Sequence, residues 1–293
     1  MKTGFRVLIY FLFVSFLAGC DLESSTKYPF VAPPEPEIAP GATLNIVMLY
    51  VAHGNSTLMV MPSGKIVLID SGLDWAARRY VLPFLDRHGI TKIDYYIITH
   101  YHSDHIGAKD DIIRQYQVET IWDNKSFYTG QMFNFEGIQM TIFNAPKTGA
   151  RTTKDPNRIS LSFSMSYNGF VYSHGGDIYD VEQAEIMDKF DVRAHIYNTN
   201  HHMDGPVARS YLIATDPYLF YTSADAGIYG SSAYNKEFKY AVDYLYDNGG
   251  RLIESLISEE IGHLVLNIAD SEHWHYYTIA DAEFGMATDL FDG

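Results

Sequence analysis

Ile97-Ile98-Thr99-His100-Tyr101-His102-Ser103-Asp104-His105-Ile106-Gly107 is the stretch on which the reading of this chain turns. Ile93 to Thr99 is a short apolar, β-branched and aromatic run, the pattern of a buried strand. Directly after it, four metal-capable side chains fall within six residues. Side chains alternate along an extended segment, so His100 and His102 share one side. A turn then brings Asp104 and His105 round to a second position. Imidazole nitrogens and carboxylate oxygens suit zinc at about 2.0–2.2 Å. The end of the strand fixes the loop that carries them.

Outward from that loop, strand and helix patterns interleave. Residues 44–51 and 57–61 read as strands separated by a turn at Gly54-Asn55, and Lys65 to Ile69 as a strand that ends at Asp70. Asp74 caps a helix running to about His88, with Gly89 as its stop and Pro83 expected to bend or split it. A short helix is predicted over 108–117 and strands over 118–144, 161–167 and 170–173, with a tight turn at Asn168-Gly169. Helices over 181–190 and 234–248 and strands over 194–198, 217–222 and, twice, within 261–280 complete the pattern. Two sheets with helices outside are the architecture this order favours. The busy run His273-Trp274-His275-Tyr276-Tyr277 is explained by strand alternation, and the 23 tyrosines by cores and sheet edges.

The chain divides into three segments. Lys2 and Arg6 precede an apolar run, Val7 to Ala18, too short to span a bilayer, which takes about 20 apolar residues. Residues 1–19 therefore read as a secretory signal. The signal ends in Leu17-Ala18-Gly19-Cys20, which resembles the lipobox of bacterial lipoproteins. That resemblance implies cleavage before Cys20, lipidation of its thiol and an extracytoplasmic, membrane-anchored location. Residues 20–40 carry Pro29, Pro33, Pro34, Pro36 and Pro40 and little apolar material, as expected of an extended tether. Residues 41–293 are the expected folded domain. Cys20 is the only cysteine, so an internal disulfide and a thiolate metal cluster are both excluded.

Loss of Lys2 and Arg6 with the signal takes the formal charge from −15 to near −17. So acidic a protein repels long nucleic acid and an anionic membrane surface. A small-molecule substrate, or one met only at a local cationic cleft, is expected.

His-x-His-x-Asp-His-x-Gly, His100 to Gly107 here, is the signature of the metallo-β-lactamase-fold hydrolases. The implied fold class is α/β (α+β), a four-layer αββα sandwich of the metallo-β-lactamase type. Further segments resemble the hydrolase domain of ComEC-type competence proteins: Val51-Ala52-His53-Gly54-Asn55-Ser56-Thr57, Ile66 to Gly72, Asn157-Arg158-Ile159-Ser160-Leu161, Gly176-Asp177, and His201-His202-Met203-Asp204-Gly205. These matches run in order over about residues 45–280.

The resemblance implies two divalent metal ions, zinc by ligand type, with manganese or iron compatible with a His and Asp set. It assigns His100 and His102 to the first ion, Asp104 and His105 to the second, and Asp177 to both. A histidine of the 201–202 pair completes the second set; His201 is favoured and His202 stays open. Asp70 is expected behind the ligand loop, orienting it. Asn157 stands where most members of the family carry a third histidine, so a weaker first site is expected. His174 is either a rival ligand or a core histidine of its strand, the core role being favoured. His53 and Asn55 replace the subgroup's Gln and Asp, and His53 either faces substrate or stabilises its turn. The implied chemistry is hydrolysis by a hydroxide bridging the two ions, with Asp104 orienting it, on a phosphoester and most of all a phosphodiester. Two alternatives remain: a hydrolase of a lactone, amide or β-lactam, and a degenerate surface module that binds metal or a partner without catalysis.

Overall fold

The computed structural model describes residue 39 and residues 41–146 and 155–280. The expected signal, Cys20 and all of the tether but residue 39 lie outside the described residues, as do residues 281–293 of the expected domain. No helix among the described residues is long and apolar enough to cross a membrane.

In chain order the strands are β1 (Leu44–Met48), β2 (Thr57–Val60), β3 (Ile66–Ile69), β4 (Lys92–Ile98), β5 (Gln117–Asp123), β6 (Met132–Phe135) and β7 (Ile138–Asn144). They continue as β8 (Ser162–Tyr167), β9 (Phe170–His174), β10 (Ile196–Asn198), β11 (Leu219–Thr222), β12 (Glu254–Ile257), β13 (His263–Ile268) and β14 (Trp274–Ile279). They build two sheets, of order β14-β13-β1-β2-β3-β4-β5 and β12-β11-β10-β9-β8-β7-β6. Within the first, β3, β4 and β5 are parallel; within the second, β9 to β12 are parallel.

Alternation decides which face each residue serves. Leu44, Ile46 and Met48 of β1 and Phe163, Met165 and Tyr167 of β8 point into one shared core between the sheets. Val47 of β1, Leu68 of β3 and Tyr96 and Ile98 of β4 point the other way, against Ala77, Val81, Phe84, Leu85 and Ile112 of an outer helical layer. The second sheet has its own outer layer, where Tyr197 and Phe220 meet Ile186, Leu212, Phe238 and Ala241. Helix, sheet, sheet, helix is thus the layer order, an α+β sandwich in which every apolar face is covered.

Element bounds differ from expectation at three places. The helix begun at Asp74 does not break at Pro83. Residues Asp74–Ala76 (α1) pass through a π-helical segment, Ala77–Val81, into Leu82–Arg87 (α2), with Pro83 in the first turn of α2. The helix widens into that π-helical segment just before the proline, whose missing N–H leaves a carbonyl of the preceding turn without its usual partner. β1 stops at Met48 rather than at residue 51, and the turn at Gly54-Asn55 lies within the loop of residues 49–56 that joins it to its antiparallel partner β2. The short helix expected over 108–117 is found at Lys109–Gln115 (α4), and a single helical turn, Ser103–Ile106 (α3), precedes it.

The carboxyl ends of the two parallel halves meet at one edge of the sandwich. That is where open parallel sheets bind ligands. The sheets are joined there by Leu161 N donating to Thr99 O at 2.9 Å.

Candidate metal centre

Each candidate side chain lies just beyond a strand end. Asp70 follows β3, His100 and His102 follow β4, Asp177 follows β9, and His201 and His202 follow β10. Three loops are laced together beneath them. Ser71 N donates to His105 O (2.7 Å), Gly107 N to Gly72 O (2.9 Å), Gly72 N to Asn55 O (2.8 Å) and Asn55 N to Asp104 O (3.1 Å). Gly107 and Gly54 permit this lacing, because a Cβ at either would fall on neighbouring backbone, at Asp74 N and Gly72 O or at Asp104 O.

Two donor sets result. His100 Nε2 and His102 Nδ1 lie 3.1 Å apart, with Asp177 Oδ2 3.4 Å from His100 Nε2. In the second set, His105 Nε2 lies 3.2 Å from both Asp177 Oδ2 and His202 Nε2. Asp104 Oδ2 lies 3.4 Å from His202 Nε2 and 3.7 Å from His105 Nε2. Each set's donor atoms fall within 4.8 Å of one another, and Asp177 belongs to both.

The residue of the 201–202 pair in the second set is therefore His202, not the favoured His201. His201 Nε2 is 3.8 Å from Asp177 Oδ2 and 3.1 Å from Asn157 Nδ2, outside both sets. The backbone explains how two neighbours both face the cavity: His201, His202 and Met203 all have positive φ (46°, 52° and 58°). Left-handed conformations in such residues cost about 1–3 kcal/mol each and persist at functional sites.

Asp70 lies behind His105. Its Oδ2 is 2.7 Å from His105 Nδ1 and accepts from Thr99 Oγ1 (2.6 Å), while Oδ1 accepts from Thr99 N (2.8 Å). This pairing turns His105 Nε2 toward the cavity and puts its proton on Nδ1. Ser160, which sequence reasoning passed over, plays the matching part for the first set. Its Oγ lies 3.2 Å from His100 Nδ1 and accepts from Asp177 N at 3.0 Å. Its only signal was its place in the Asn-x-x-Ser-Leu segment.

His174 joins neither set. Its Nδ1 is 3.0 Å from Asn198 Nδ2 and its ring packs on Phe163 and Tyr172. Burial pushes its pKa down to about 3. That is the strand-core role favoured for it, although Nε2 has no hydrogen-bond partner among the described residues. His53 leans its ring on His202 at 4.5 Å between centroids, and burial, then His202, lowers its pKa to about 4.

The protein's charges are arranged around Asp177. Burial opposes its ionisation, but His105, His202 and His100 outweigh burial and hold the carboxyl well below its ordinary range. Burial likewise opposes charge on His105, and Asp177 with Asp70 overcomes it, raising that pKa well above normal. Burial pushes His100 down to about 2, keeping it a neutral imidazole. A buried carboxylate whose Oδ1 has no hydrogen-bond partner among the described residues, ringed by imidazole nitrogens, fits a pair of divalent cations and no apolar ligand. Metal binds deprotonated carboxylates and neutral imidazoles, so a bound cation would displace the second proton that Asp177 and Asp70 favour on His105.

The family model described as "Metallo-beta-lactamase superfamily" matches residues 49–210, over half of the chain. ComE operon protein 3 of Bacillus subtilis (strain 168) is 22% identical over 195 residues, an overlap covering 53% of this chain. The chain spans only 25% of that relative's length. Among solved structures, the metallo-beta-lactamase fold protein YhfI of Bacillus subtilis is 11% identical, with a TM-score of 0.43 and coverage of 73% of this chain and 95% of its own. A candidate metal-dependent hydrolase of Parabacteroides distasonis is 17% identical, with a TM-score of 0.47 and coverage of 78% and 98%.

Proposed function

The chain belongs to the metallo-beta-lactamase superfamily, and from that premise we propose that it is a binuclear metal-dependent hydrolase of phosphoesters, phosphodiesters above all. The observation that carries the reading is the sharing of Asp177 between the two donor sets. Asp177 would serve both cations of such a pair, His100 and His102 holding one and Asp104, His105 and His202 the other, and two cations so held suit displacement at phosphorus. The chemistry such a pair supplies when bound is a water acidic enough to attack at neutral pH and two positive centres for the developing charge. Zinc is the proposed ion, since four imidazoles and two carboxylates suit it best.

The chain's own residues do the rest. Asp70 and Ser160 fix the rings of His105 and His100. Asp177 holds both sets at one separation. Asp104, about one-fifth exposed while its neighbours are buried, is the acidic member of the second set that meets solvent, and is placed to accept a proton from an attacking water. The similarity to ComE operon protein 3 over 195 residues and the ComEC-type resemblance of the motifs favour phosphodiesters by association alone. We further propose that the domain is anchored to a bacterial membrane through lipidated Cys20 and works outside the cytoplasm; labelled fatty acid should enter the wild-type chain and not Cys20→Ala.

A chromogenic panel of bis(p-nitrophenyl) phosphate, a lactone and a cephalosporin, run with zinc- and manganese-loaded protein, tests the substrate class. Turnover of the phosphodiester that is lost in Asp177→Ala is expected. Turnover of the lactone or cephalosporin alone would move the function to another bond. Inactivity on all three by protein that binds two metals would favour a non-catalytic module.

A further inference from the structure

We propose that His53 is a substrate-binding residue at the mouth of the metal centre, where its Nε2 donates a hydrogen bond to a phosphoester oxygen beside the second donor set. The inference rests on the phosphoester reading above.

His100, His105, Asp177 and His202 are buried, whereas His102, Asp104, His201 and His53 keep partial exposure, so the latter four mark where the centre opens to solvent. His102 and Asp104 belong to the donor sets and are committed to cations. His201 is engaged by Asn157, whose Nδ2 lies 3.1 Å from its Nε2. His53 is the member of the four with neither commitment. Its ring lies 4.5 Å from that of His202 between centroids, and the charges of Asp104 and Asp177 reach it. It therefore borders the second set without belonging to it.

The two ring nitrogens of His53 differ. Nδ1 is buried and has no hydrogen-bond partner among the described residues. A sealed N–H there would be wasted, so a neutral ring keeps its single proton on Nε2, and a charged ring carries one on each nitrogen. In either state Nε2 is a donor. It is bonded to no group among the described residues and is not sealed as Nδ1 is, so its proton is free for an incoming oxygen. An N–H beside a pair of cations suits an anionic oxygen and gives nothing to an apolar group.

The backbone holds the ring in place. Ala52, just before it, has a φ of 60°, a left-handed conformation disfavoured for a residue with a Cβ and met most often at functional sites. Just after it, Gly54 O accepts from Ser223 Oγ, and Asn55 N donates to Asp104 O at 3.1 Å. Gly54 packs so closely that a Cβ there would strike Asp104 O. The loop is thereby pinned to the segments that follow β11 and β4, strands of different sheets. A donor on so fixed a loop needs no reorganisation when charge arrives.

The test uses zinc-loaded full chain, bis(p-nitrophenyl) phosphate as substrate and inorganic phosphate as inhibitor, with metal content by mass spectrometry. His53→Phe keeps a ring against His202 and removes the donor. It is expected to hold the wild-type metal stoichiometry, to raise KM and to weaken phosphate inhibition ~10–100-fold, as loss of a hydrogen bond to a charged group does. His53→Gln, which ends in an amide N–H, should recover part of both. His53→Ala carries the same expectation should His53→Phe fail to fold. Loss of a metal equivalent in His53→Phe would mean that His53 acts through His202, and would overturn the proposal. KM and phosphate inhibition equal to wild type would also overturn it, leaving His53 as a support of its turn and the phosphoester reading intact. Wild-type protein that neither cleaves the diester nor responds to phosphate would bring down the phosphoester reading itself, and this contact with it.

Discussion

Asp70→Asn separates orientation of a ligand from the ligand itself. The change is isosteric, and Asn tolerates the left-handed backbone at this position, where φ is 56°. Fold damage should therefore be small. The carboxylate serves three donors: Thr99 N at 2.8 Å through Oδ1, and Thr99 Oγ1 at 2.6 Å and His105 Nδ1 at 2.7 Å through Oδ2. An amide cannot serve all three. With its oxygen toward Thr99 N, its NH2 faces His105 Nδ1, which must then offer a lone pair. The single imidazole proton moves to Nε2, the atom 3.2 Å from Asp177 Oδ2 and His202 Nε2. A protonated nitrogen cannot bind metal. With the amide reversed, NH2 meets Thr99 N and two buried donors confront each other.

Either outcome costs about 1.5–3 kcal/mol, the worth of a hydrogen bond to a charged group. At 1.4 kcal/mol per decade this is a ~10–100-fold loss of affinity for the second cation, the usual effect of removing an outer partner of a metal-binding histidine. Competition against a chromogenic chelator reads both affinities. The first cation, held by His100 and His102, should change far less. Two affinities within threefold of wild type, in a variant of unchanged melting temperature, would refute the reasoning.

Asn157→His places an imidazole where the family carries its third ligand; tighter binding of the first cation together with lower phosphodiester turnover is expected in the same chelator and activity assays. Gly107→Ala puts a methyl onto Asp74 N and Gly72 O, which are backbone and cannot yield, so a loss above ~2 kcal/mol in urea unfolding is expected, as for other overpacked positions. His263 belongs to neither donor set; burial, then Arg87 and His88, lowers its pKa to about 3. The unfolded chain binds that proton below about 6.5 and the folded chain does not, so stability is lost as pH falls from 6.5 toward 3. His263→Asn, measured on metal-free protein between pH 4 and 6, should flatten the dependence of unfolding free energy on pH by ~1.4 kcal/mol per unit.

Much of the architecture was legible because each strand repeats a two-residue pattern. Phe163, Met165 and Tyr167 announce an inward face with no tertiary knowledge, and the apolar run 93–99 announces a strand covered on both sides. The helix Arg209–Thr215 and strand β12 escaped notice because neither carries such a pattern: β12 is a half-buried edge strand of Glu, Ser, Leu and Ile. Pro83 misled because a proline reports the missing N–H and not how the preceding turn accommodates it. At the metal centre, ligand types were readable from the motif, whereas supporting contacts were not. The link from Ser160 to His100 spans 60 residues of sequence, and Asp70 finds His105 only after three loops close.

The choice between His201 and His202 shows where sequence reasoning must stop. Neighbours in a strand face opposite sides, so of two adjacent histidines an extended backbone would deliver only one to Asp177. Both arrive, at 3.8 Å and 3.7 Å, because the chain leaves the strand at Asn198 and turns through three left-handed residues. Nothing in those side chains favours that backbone, so its cost must be met by contacts made elsewhere: His201 N to Gly176 O, Asn200 Nδ2 to Ile178 O, and the fully buried Met203 side chain. A backbone strained to present one ligand would need only one reversed residue. The reversal that spans both histidines does two things: it delivers His202 to the second donor set and seats the His201 ring against Asn157, in the room that Gly205 leaves.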